Sequence, residues 1–105
     1  MELRLVYMTA PHRDEALRIG RILVEERLAA CINVLDGMQS IYWWEGAVEE
    51  AREAVLIAKT RADRVEALTA RVKALHPYSC PCVVALPLAG GNGDYLDWLA
   101  SESRG

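Results

Sequence analysis

Hydrophobic and polar positions alternate with a period of two residues at the start of the chain. The segment "LRLVYMT" (3–9) mixes aliphatic, β-branched and aromatic residues, and "AP" follows it. Alternation of this kind indicates a half-buried β-strand, and a proline cannot continue the hydrogen bonding of a central strand. The pattern therefore predicts a first strand over residues 3–9.

The next segment repeats its apolar residues at helical spacing instead. These residues are Ala16, Ile19, Leu23 and Leu28, and acidic side chains at 14 and 15 suit the first turn of a helix. Gly20 lies inside this predicted helix, where glycine costs about 1 kcal/mol relative to alanine. Either Gly20 permits close packing of the helix on a sheet, or it is a tolerated surface glycine.

Alternation resumes in "AACINVL", with Ile32 and Val34 on one face, and breaks at Asp36 and Gly37. This break predicts a bulge or a turn. Beyond it, "SIYWWEG" and "AVEEAREAVLIAKT" are typical of two extended arms joined close to residues 45–46. The region is predicted to form a β-hairpin.

The predicted hairpin is long for a chain of this size. Arms over residues 30–44 and 48–60 would each span roughly 40 Å, whereas a domain of about 100 residues has a radius of gyration of about 13 Å. An overhanging hairpin that carries Ile41, Tyr42, Trp43 and Trp44 would expose aromatic residues and unpaired edges. Such surfaces are usually covered by other subunits, so we predict a homo-oligomer.

The second half predicts another helix, a strand and a terminal helix. "TRADRVEALTARVKALHPY" begins with a capping-box pattern, Thr60 and Asp63, and its helix should end at His76 before Pro77. "PCVVALPL" predicts a buried central strand. "GGNGDYLDWL" predicts a turn and a short helix anchored by Tyr95, Leu96, Trp98 and Leu99. The order predicts an α+β fold, a ferredoxin-like split β-α-β (βαββαβ) antiparallel sheet with an additional C-terminal helix.

Composition narrows the classes of protein to which the chain can belong. Its 105 residues predict one domain, 1–105, and 52% hydrophobic with 26% charged residues is ordinary for a globular chain. A net charge of -3 without a basic block argues against nucleic-acid binding. No run approaches the roughly 18 apolar residues of a membrane span, and the N-terminus lacks a secretory pattern. We therefore expect a cytoplasmic protein that contacts neither membrane nor nucleic acid.

The stretch "HPYSCPC" (76–82) holds one imidazole and two thiols. The chain's three cysteines, Cys31, Cys80 and Cys82, form no "CxxC" pair. One reading is a metal site that uses His76 with Cys80 and Cys82; the other is a rigid turn whose cysteines fill space as small hydrophobes. Because no hydrolase, metalloprotease or phosphate-loop motif is present, we predict that the protein is not an enzyme.

A second candidate site lies on the predicted hairpin. Cys31 and Asn33 share a strand face near Lys59, and Tyr42 and Trp44 carry rings that could stack on a ligand. These five residues are predicted to line an intersubunit pocket for a small anionic ligand. The alternatives are a hydrogen-bonded structural patch for the polar residues and interface anchors for the aromatic ones.

Several strings together resemble one known family. They are "TAP" after the first strand, "LVEERLAACINVL", "SIYWWEG", "KT" at the end of the third strand, "HPY" after the second helix and "GNGDYLDWL". The set resembles CutA, the divalent-cation-tolerance family, over nearly the whole chain. The resemblance implies a ferredoxin-like subunit, related in architecture to PII-type signalling proteins, that forms a tight homotrimer with a role linked to copper and other divalent metals.

The resemblance also points to metal-ligand positions. The family's proposed copper ligands are a cysteine before "TAP", where this chain has Met8, and two histidines before "PY", where it has Leu75 and His76. Adding the thiols gives a predicted metal set of His76, Cys82, Cys80 and Met8. Copper or another divalent ion would bind to it without being an obligatory cofactor. The alternative is a PII-like trimer that binds a small anion or a protein partner in its intersubunit clefts.

Overall fold

The computed structural model describes residues 2–105, in which four strands and three α-helices alternate as predicted. Their bounds are β1 (Leu3–Ala10), α1 (Arg13–Glu25), β2 (Cys31–Trp44), β3 (Ala47–Arg61), α2 (Val65–Leu75), β4 (Val83–Pro87) and α3 (Gly93–Glu102), with a 3-10 turn (Ala62–Arg64) before α2. The strands form one antiparallel sheet in the order β2-β3-β1-β4. The predicted ferredoxin-like α+β arrangement is confirmed.

The core lies between one face of the sheet and the helices. Val6 and Met8 of β1 and Leu56 of β3 are buried there against Ile19 of α1 and Leu68 of α2. Alternate residues of the same strands point the other way, because successive side chains of a strand face opposite sides. Among the described residues, α1 and α2 pack on the core side and not on this second side, which is called the open face below.

Gly20 brings α1 close to the sheet. A Cβ atom built at this glycine would lie 2.6 Å from Cγ2 of Ile32 and 3.2 Å from Cδ1 of Leu56. Real Cβ atoms do not approach other carbon atoms so closely, since van der Waals contact begins near 3.5 Å. Of the two alternatives for Gly20, close packing of helix on sheet is correct.

The long β2–β3 hairpin is confirmed and contains a bulge. The register slips between Leu35 and Met38, and Gly37 has a φ of 77°. Leu35 pairs with Val55 and Met38 pairs with Glu53, so odd-numbered residues of β2 before the bulge and even-numbered residues after it share the open face. The turn at residues 45–46 has two positive φ angles, as the type I′ turn of a two-residue hairpin requires. The longest dimension of the chain is 44 Å.

The predicted capping role of Thr60 is wrong. Thr60 lies within β3, is fully buried, and its hydroxyl donates a hydrogen bond to the carbonyl of Leu28 at 2.7 Å. Pairing with β1 continues to Arg61, so the sheet keeps this residue from starting the helix. Asp63, the other member of the expected box, accepts hydrogen bonds from the guanidinium of Arg61.

The prediction of a buried central strand at residues 81–88 is also wrong for the isolated chain. β4 pairs only with β1 and is an edge strand. Val84 and Leu86 point to the open face and are 51% and 50% exposed. An apolar run does not reveal whether it is covered by its own chain or by another subunit. Pro87 at the end of β4 is compatible with an edge strand, because proline cannot donate a backbone hydrogen bond.

The last helix is anchored mainly by Leu99, which is fully buried. Tyr95 and Trp98, which the sequence also predicts as anchors, remain partly exposed and contact each other with ring centroids 5.5 Å apart. The side chain of Asn92 caps the helix by accepting a hydrogen bond from the amide of Asp94. Within residues 2–105, no helix is long and apolar enough to cross a membrane.

Candidate functional site

A groove of about 640 Å³ lies on the open face, between the hairpin and the segment that leads into β4. Tyr42 and Trp44 line it from the hairpin, and Tyr78, Cys80 and Cys82 line it from the other side. Two residues of the predicted pocket and two of the predicted metal set therefore meet in one place. We call this cavity the hairpin groove.

A buried carboxylate, Glu53, lies in the wall of the hairpin groove. It is only 7% exposed, and its Oε2 accepts a hydrogen bond of 2.9 Å from the hydroxyl of Tyr78. Nearby, the hydroxyl of Tyr7 donates to the sulfur of Met38 at 3.4 Å. Glu53 was not singled out from the sequence. Its position gave a signal, because Glu53 lies two residues before Val55 and therefore on the same face of β3, which is apolar from Val55 onward.

The surroundings of Glu53 change the acidity of two neighbours. Burial raises the pKa of Tyr78 to about 12, and the hydrogen bond to Glu53 together with its negative charge adds to this effect. Burial also raises the pKa of the Cys82 thiol, with a further contribution from the charge of Glu53. Both groups therefore hold their protons at neutral pH.

His76 connects the end of α2 to the end of β1. Its Nε2 lies 2.7 Å from the carbonyl oxygen of Thr9, and its Nδ1 accepts a hydrogen bond from the backbone amide of Tyr78 at 3.1 Å. The neutral ring therefore donates through Nε2–H and accepts through Nδ1. His76 is buried, with 8% of its surface exposed, and its ring packs against the Tyr78 ring with centroids 4.7 Å apart. A metal ion at either nitrogen would have to break one of these backbone contacts.

Met8 lies on the other side of the sheet from the thiols. Its side chain is 1% exposed and belongs to the core beneath the helices, whereas Cys80 and Cys82 border the hairpin groove on the open face. Cys80 is exposed and Cys82 is half-buried. In residues 2–105, no three histidine, cysteine or acidic side chains are grouped as a metal site. Of the predicted set, only the two cysteines share a surface.

The remaining predicted pocket residues lie at the opposite end of the hairpin. Cys31 pairs with Lys59 across β2 and β3, and its sulfur is 3.8 Å from the side-chain oxygen of Asn33. The ammonium of Lys59 donates to the hydroxyl of Tyr95 at 3.2 Å and lies 5.4 Å from the centroid of its ring. Within one chain, these residues and the aromatic pair at residues 42 and 44 form two separate groups.

The two cysteines of the hairpin groove should differ in reactivity. We expect iodoacetamide to alkylate Cys80 faster than Cys82 at pH 7, because Cys80 is exposed and the pKa of Cys82 is raised. The rate at Cys82 should increase as the pH rises, since the thiolate is the reactive form. Peptide mass spectrometry at timed quenches measures both rates.

The variant Glu53→Gln supplies the control for this prediction. Removing the carboxylate charge should accelerate alkylation at Cys82 and leave the rate at Cys80 unchanged. Equal rates at the two cysteines in the unmodified chain would show that burial and charge do not distinguish them.

Comparison with known proteins shows which family this chain resembles. The family described as CutA1 divalent ion tolerance protein matches residues 4–102. The divalent-cation tolerance protein CutA of Thermus thermophilus is 52% identical over 99 residues, which cover 94% of this chain and 96% of that protein. The chloroplastic protein CutA 1 of Oryza sativa is 46% identical over 100 residues, 95% of this chain and 56% of that protein. This chain thus spans little more than half of the rice protein.

A solved structure agrees with these sequence matches. The crystal structure of CutA1 from Oryza sativa superimposes with a TM-score of 0.96 at 44% identity, covering 99% of this chain and 95% of that one. The family description and the name of the Thermus thermophilus protein are those of divalent-ion tolerance proteins, and neither names an enzyme. The family resemblance that the sequence suggests is confirmed.

Proposed function

Because this chain belongs to the CutA1 divalent ion tolerance protein family, we propose that it is a non-enzymatic, cytoplasmic homotrimer that binds soft metal ions through its hairpin groove. Residues 1–105 act as a single domain in this proposal. The rice relative is named for the chloroplast, so the family is not confined to one compartment and the cytoplasmic location stays a prediction.

The observation that carries the metal proposal is that Cys80 and Cys82 both line the hairpin groove. Thiolates prefer Cu(I) and Zn(II) over hard ions such as Mg²⁺. Met38 lines the same groove and adds a soft thioether. His76 supports the site from behind: its backbone contacts fix the start of the segment that carries both thiols.

Binding at this site should be weak and exchangeable. A structural zinc site uses four protein ligands, whereas one chain offers two thiols here. Both must lose a proton to bind, and the raised pKa of Cys82 makes that loss costly at neutral pH. The metal is therefore a ligand of the folded protein and not a cofactor on which folding depends.

Assembly into a trimer is supported by the apolar surface that one chain leaves uncovered. On the open face, Leu35, Val84 and Leu86 are 50–60% exposed. On the opposite side of the hairpin, Ile41 and Trp43 are 69% and 75% exposed. Several large apolar side chains left exposed on one small chain are typical of surfaces that other subunits cover.

The PII-like alternative, a trimer that binds a small anion in its clefts, is not favoured. Lys59, the cation proposed to attract the anion, lies at the other end of the hairpin and does not line the hairpin groove, where its ammonium could meet a ligand held by Tyr42 and Trp44. The charged residue that lines the hairpin groove is Glu53, and its carboxylate repels anions. The relatives are named for divalent cations.

Titration with Cu(I) tests the metal proposal. We expect the Cys80→Ser, Cys82→Ser double variant to bind Cu(I) at least about tenfold more weakly than the unmodified protein, since both soft ligands are removed. The matched control is Cys31→Ser, which removes the third thiol and should keep the affinity. Affinity should rise with pH as the thiols deprotonate. Indistinguishable affinities for the double variant and the unmodified protein would exclude these thiols as ligands.

A further inference from the structure

The open face carries a buried carboxylate that no cation of its own chain reaches. Glu53 is 7% exposed, and none of the six ion pairs formed within residues 2–105 includes it. Its recorded hydrogen-bond donor is the neutral hydroxyl of Tyr78. A buried carboxylate is costly unless an opposite charge or several donors compensate it. In an assembly that covers the open face, a second copy of the chain can supply the opposite charge.

The same face of β3 also carries a cation that has no carboxylate partner. Alternation along the strand places Lys59 and Arg61 on the open face, and Arg61 is paired with Asp63. Lys59 belongs to none of the ion pairs formed within residues 2–105, and its ammonium donates one hydrogen bond, to the hydroxyl of Tyr95 at 3.2 Å. An ammonium group has three N–H donors, so Lys59 can still donate to a carboxylate.

Glu53 and Lys59 cannot meet within one chain. Lys59 pairs with Cys31 at the start of β2, whereas Glu53 pairs with Met38 beyond the bulge. The two charged residues are six positions apart on one extended strand, which corresponds to roughly 20 Å at about 3.3 Å per residue. This distance exceeds the combined reach of the two side chains. A contact between them therefore needs two copies of the chain.

The position of Lys59 suits such a contact between copies. Lys59 pairs with Leu5 of β1, and Leu5 pairs with Leu86 of β4, so the three side chains form a row across the open face. Leu86 is 50% exposed and belongs to the apolar surface that supports assembly. In a cyclic trimer, two different patches of each copy meet at every interface. The row of Lys59 and the hairpin groove around Glu53 are two patches of opposite charge, as complementary interfaces require.

We propose that Glu53 in the hairpin groove forms an ion pair with Lys59 of the partner subunit. This inference rests on the homotrimer of the proposed function and adds the contact that determines which two surfaces meet. Each copy contributes one carboxylate and one ammonium group, so all three interfaces hold the same pair. The pair also brings together the two groups of predicted pocket residues, one around Lys59 and one at residues 42 and 44, which are separate within one chain.

Exchange of the two charges tests this pair. Glu53→Lys and Lys59→Glu each place two like charges in every interface, and we expect each to weaken association on the order of a hundredfold or more. The double variant Glu53→Lys, Lys59→Glu restores opposite charges and should associate at least roughly tenfold more tightly than either single variant. Sedimentation equilibrium over a dilution series, at one fixed urea concentration, compares these three variants with the unmodified protein.

Glu49 provides the matched control for the exchange. It is another carboxylate on the same face of β3, where it pairs with Tyr42 and is exposed. The double variant Glu49→Lys, Lys59→Glu makes the same change in composition and net charge. It should not recover the association that Lys59→Glu loses, because Glu49 lies outside the proposed pair.

Cross-linking detects the same contact in chains that carry no reversed charge. Glu53→Cys and Lys59→Cys are combined in a chain whose own cysteines, Cys31, Cys80 and Cys82, are replaced by serine. A short bis-maleimide reagent should then join different copies, because the two positions of one chain are roughly 20 Å apart. We expect covalent dimers and trimers on a denaturing gel, and little product from either single-cysteine chain.

The outcomes separate failure of the ion pair from failure of the proposed function. A monomeric unmodified protein would overturn the pair and the homotrimer together. If the unmodified protein is a trimer but the exchanged variant associates no better than the single variants, the pair alone is wrong. Equal recovery with Glu49→Lys, Lys59→Glu, or the absence of covalent dimers after cross-linking, would also overturn it. The Cu(I) titration tests the metal proposal independently of all these measurements.

Discussion

Replacing Leu86 by glutamate is expected to dissociate the proposed homotrimer. Leu86 lies on the edge strand β4, pairs with Leu5 of β1 and faces the open side of the sheet at 50% exposure. Its substitution removes little from the core of the single chain. In an assembled trimer it would place a carboxylate in each interface, where a buried and unpaired charge costs several kcal/mol. We expect association to weaken on the order of a hundredfold or more.

Leu17→Glu is the matched control for this substitution. Leu17 is 41% exposed on α1, in the helical layer that covers the other face of the sheet. The substitution Leu17→Glu makes the same chemical change at a similar exposure but outside the proposed interface. It should leave the mass in solution unchanged. Light scattering after size-exclusion chromatography measures both variants. If Leu86→Glu keeps the mass of the unmodified protein, the open face is not the surface that assembles.

Replacing Gly20 by valine is expected to have the largest effect on the stability of the single chain. A Cβ atom at this position would lie 2.6 Å from Cγ2 of Ile32, and valine adds two further methyl groups. Helix α1 must move away from the sheet or Ile32 must leave its rotamer, and such overpacking costs about 1–3 kcal/mol. Valine has a better helix propensity than glycine, so a loss of stability has to come from packing.

Gly90→Val tests whether this loss is specific to the helix–sheet contact. No heavy atom of the described residues lies within 4 Å of a Cβ built at Gly90, so the same substitution there should change the free energy of unfolding little. Urea unfolding at one fixed protein concentration compares the variants, because assembly makes apparent stability depend on concentration. Equal losses for Gly20→Val and Gly90→Val would contradict the proposed packing role.

The order of strands and helices could be predicted because it depends on local patterns. Period-two alternation located β1 and the hairpin, and helical spacing located α1 and α2. The bulge at Gly37 and the turn at residues 45–46 were also signalled, since both need backbone conformations that glycine favours. The order of these elements predicted the ferredoxin-like arrangement. The family strings, which are spread over nearly the whole chain, agreed with it.

Burial and strand pairing depend on contacts between residues far apart in the sequence, and the predictions that concerned them were wrong. The capping pattern at Thr60 is a local signal, but pairing between β1 and β3 extends through Arg61 and overrides it. The apolar run of β4 predicted a buried central strand, because nothing in the run distinguishes a central strand from an edge strand. Strand order is settled by the whole sheet.

The candidate site was predicted only in part for the same reason. The sequence placed Cys80 and Cys82 near each other, but it could not place Tyr42 and Trp44 beside them, since residues 42 and 80 meet only when the sheet forms. His76 was named as a ligand because it lies close to two cysteines in the sequence and occupies a position where the resembled family has a proposed copper ligand. Its backbone contacts to Thr9 and Tyr78, which occupy both ring nitrogens, cannot be read from a sequence.

The mass of the unmodified protein in solution tests the central claim most directly. That claim is that the open face and the hairpin of one chain are completed by two further copies. Light scattering at micromolar concentration should give three times the 11.7 kDa of one chain, about 35 kDa. A mass of 11.7 kDa, or of twice that value, would contradict the account.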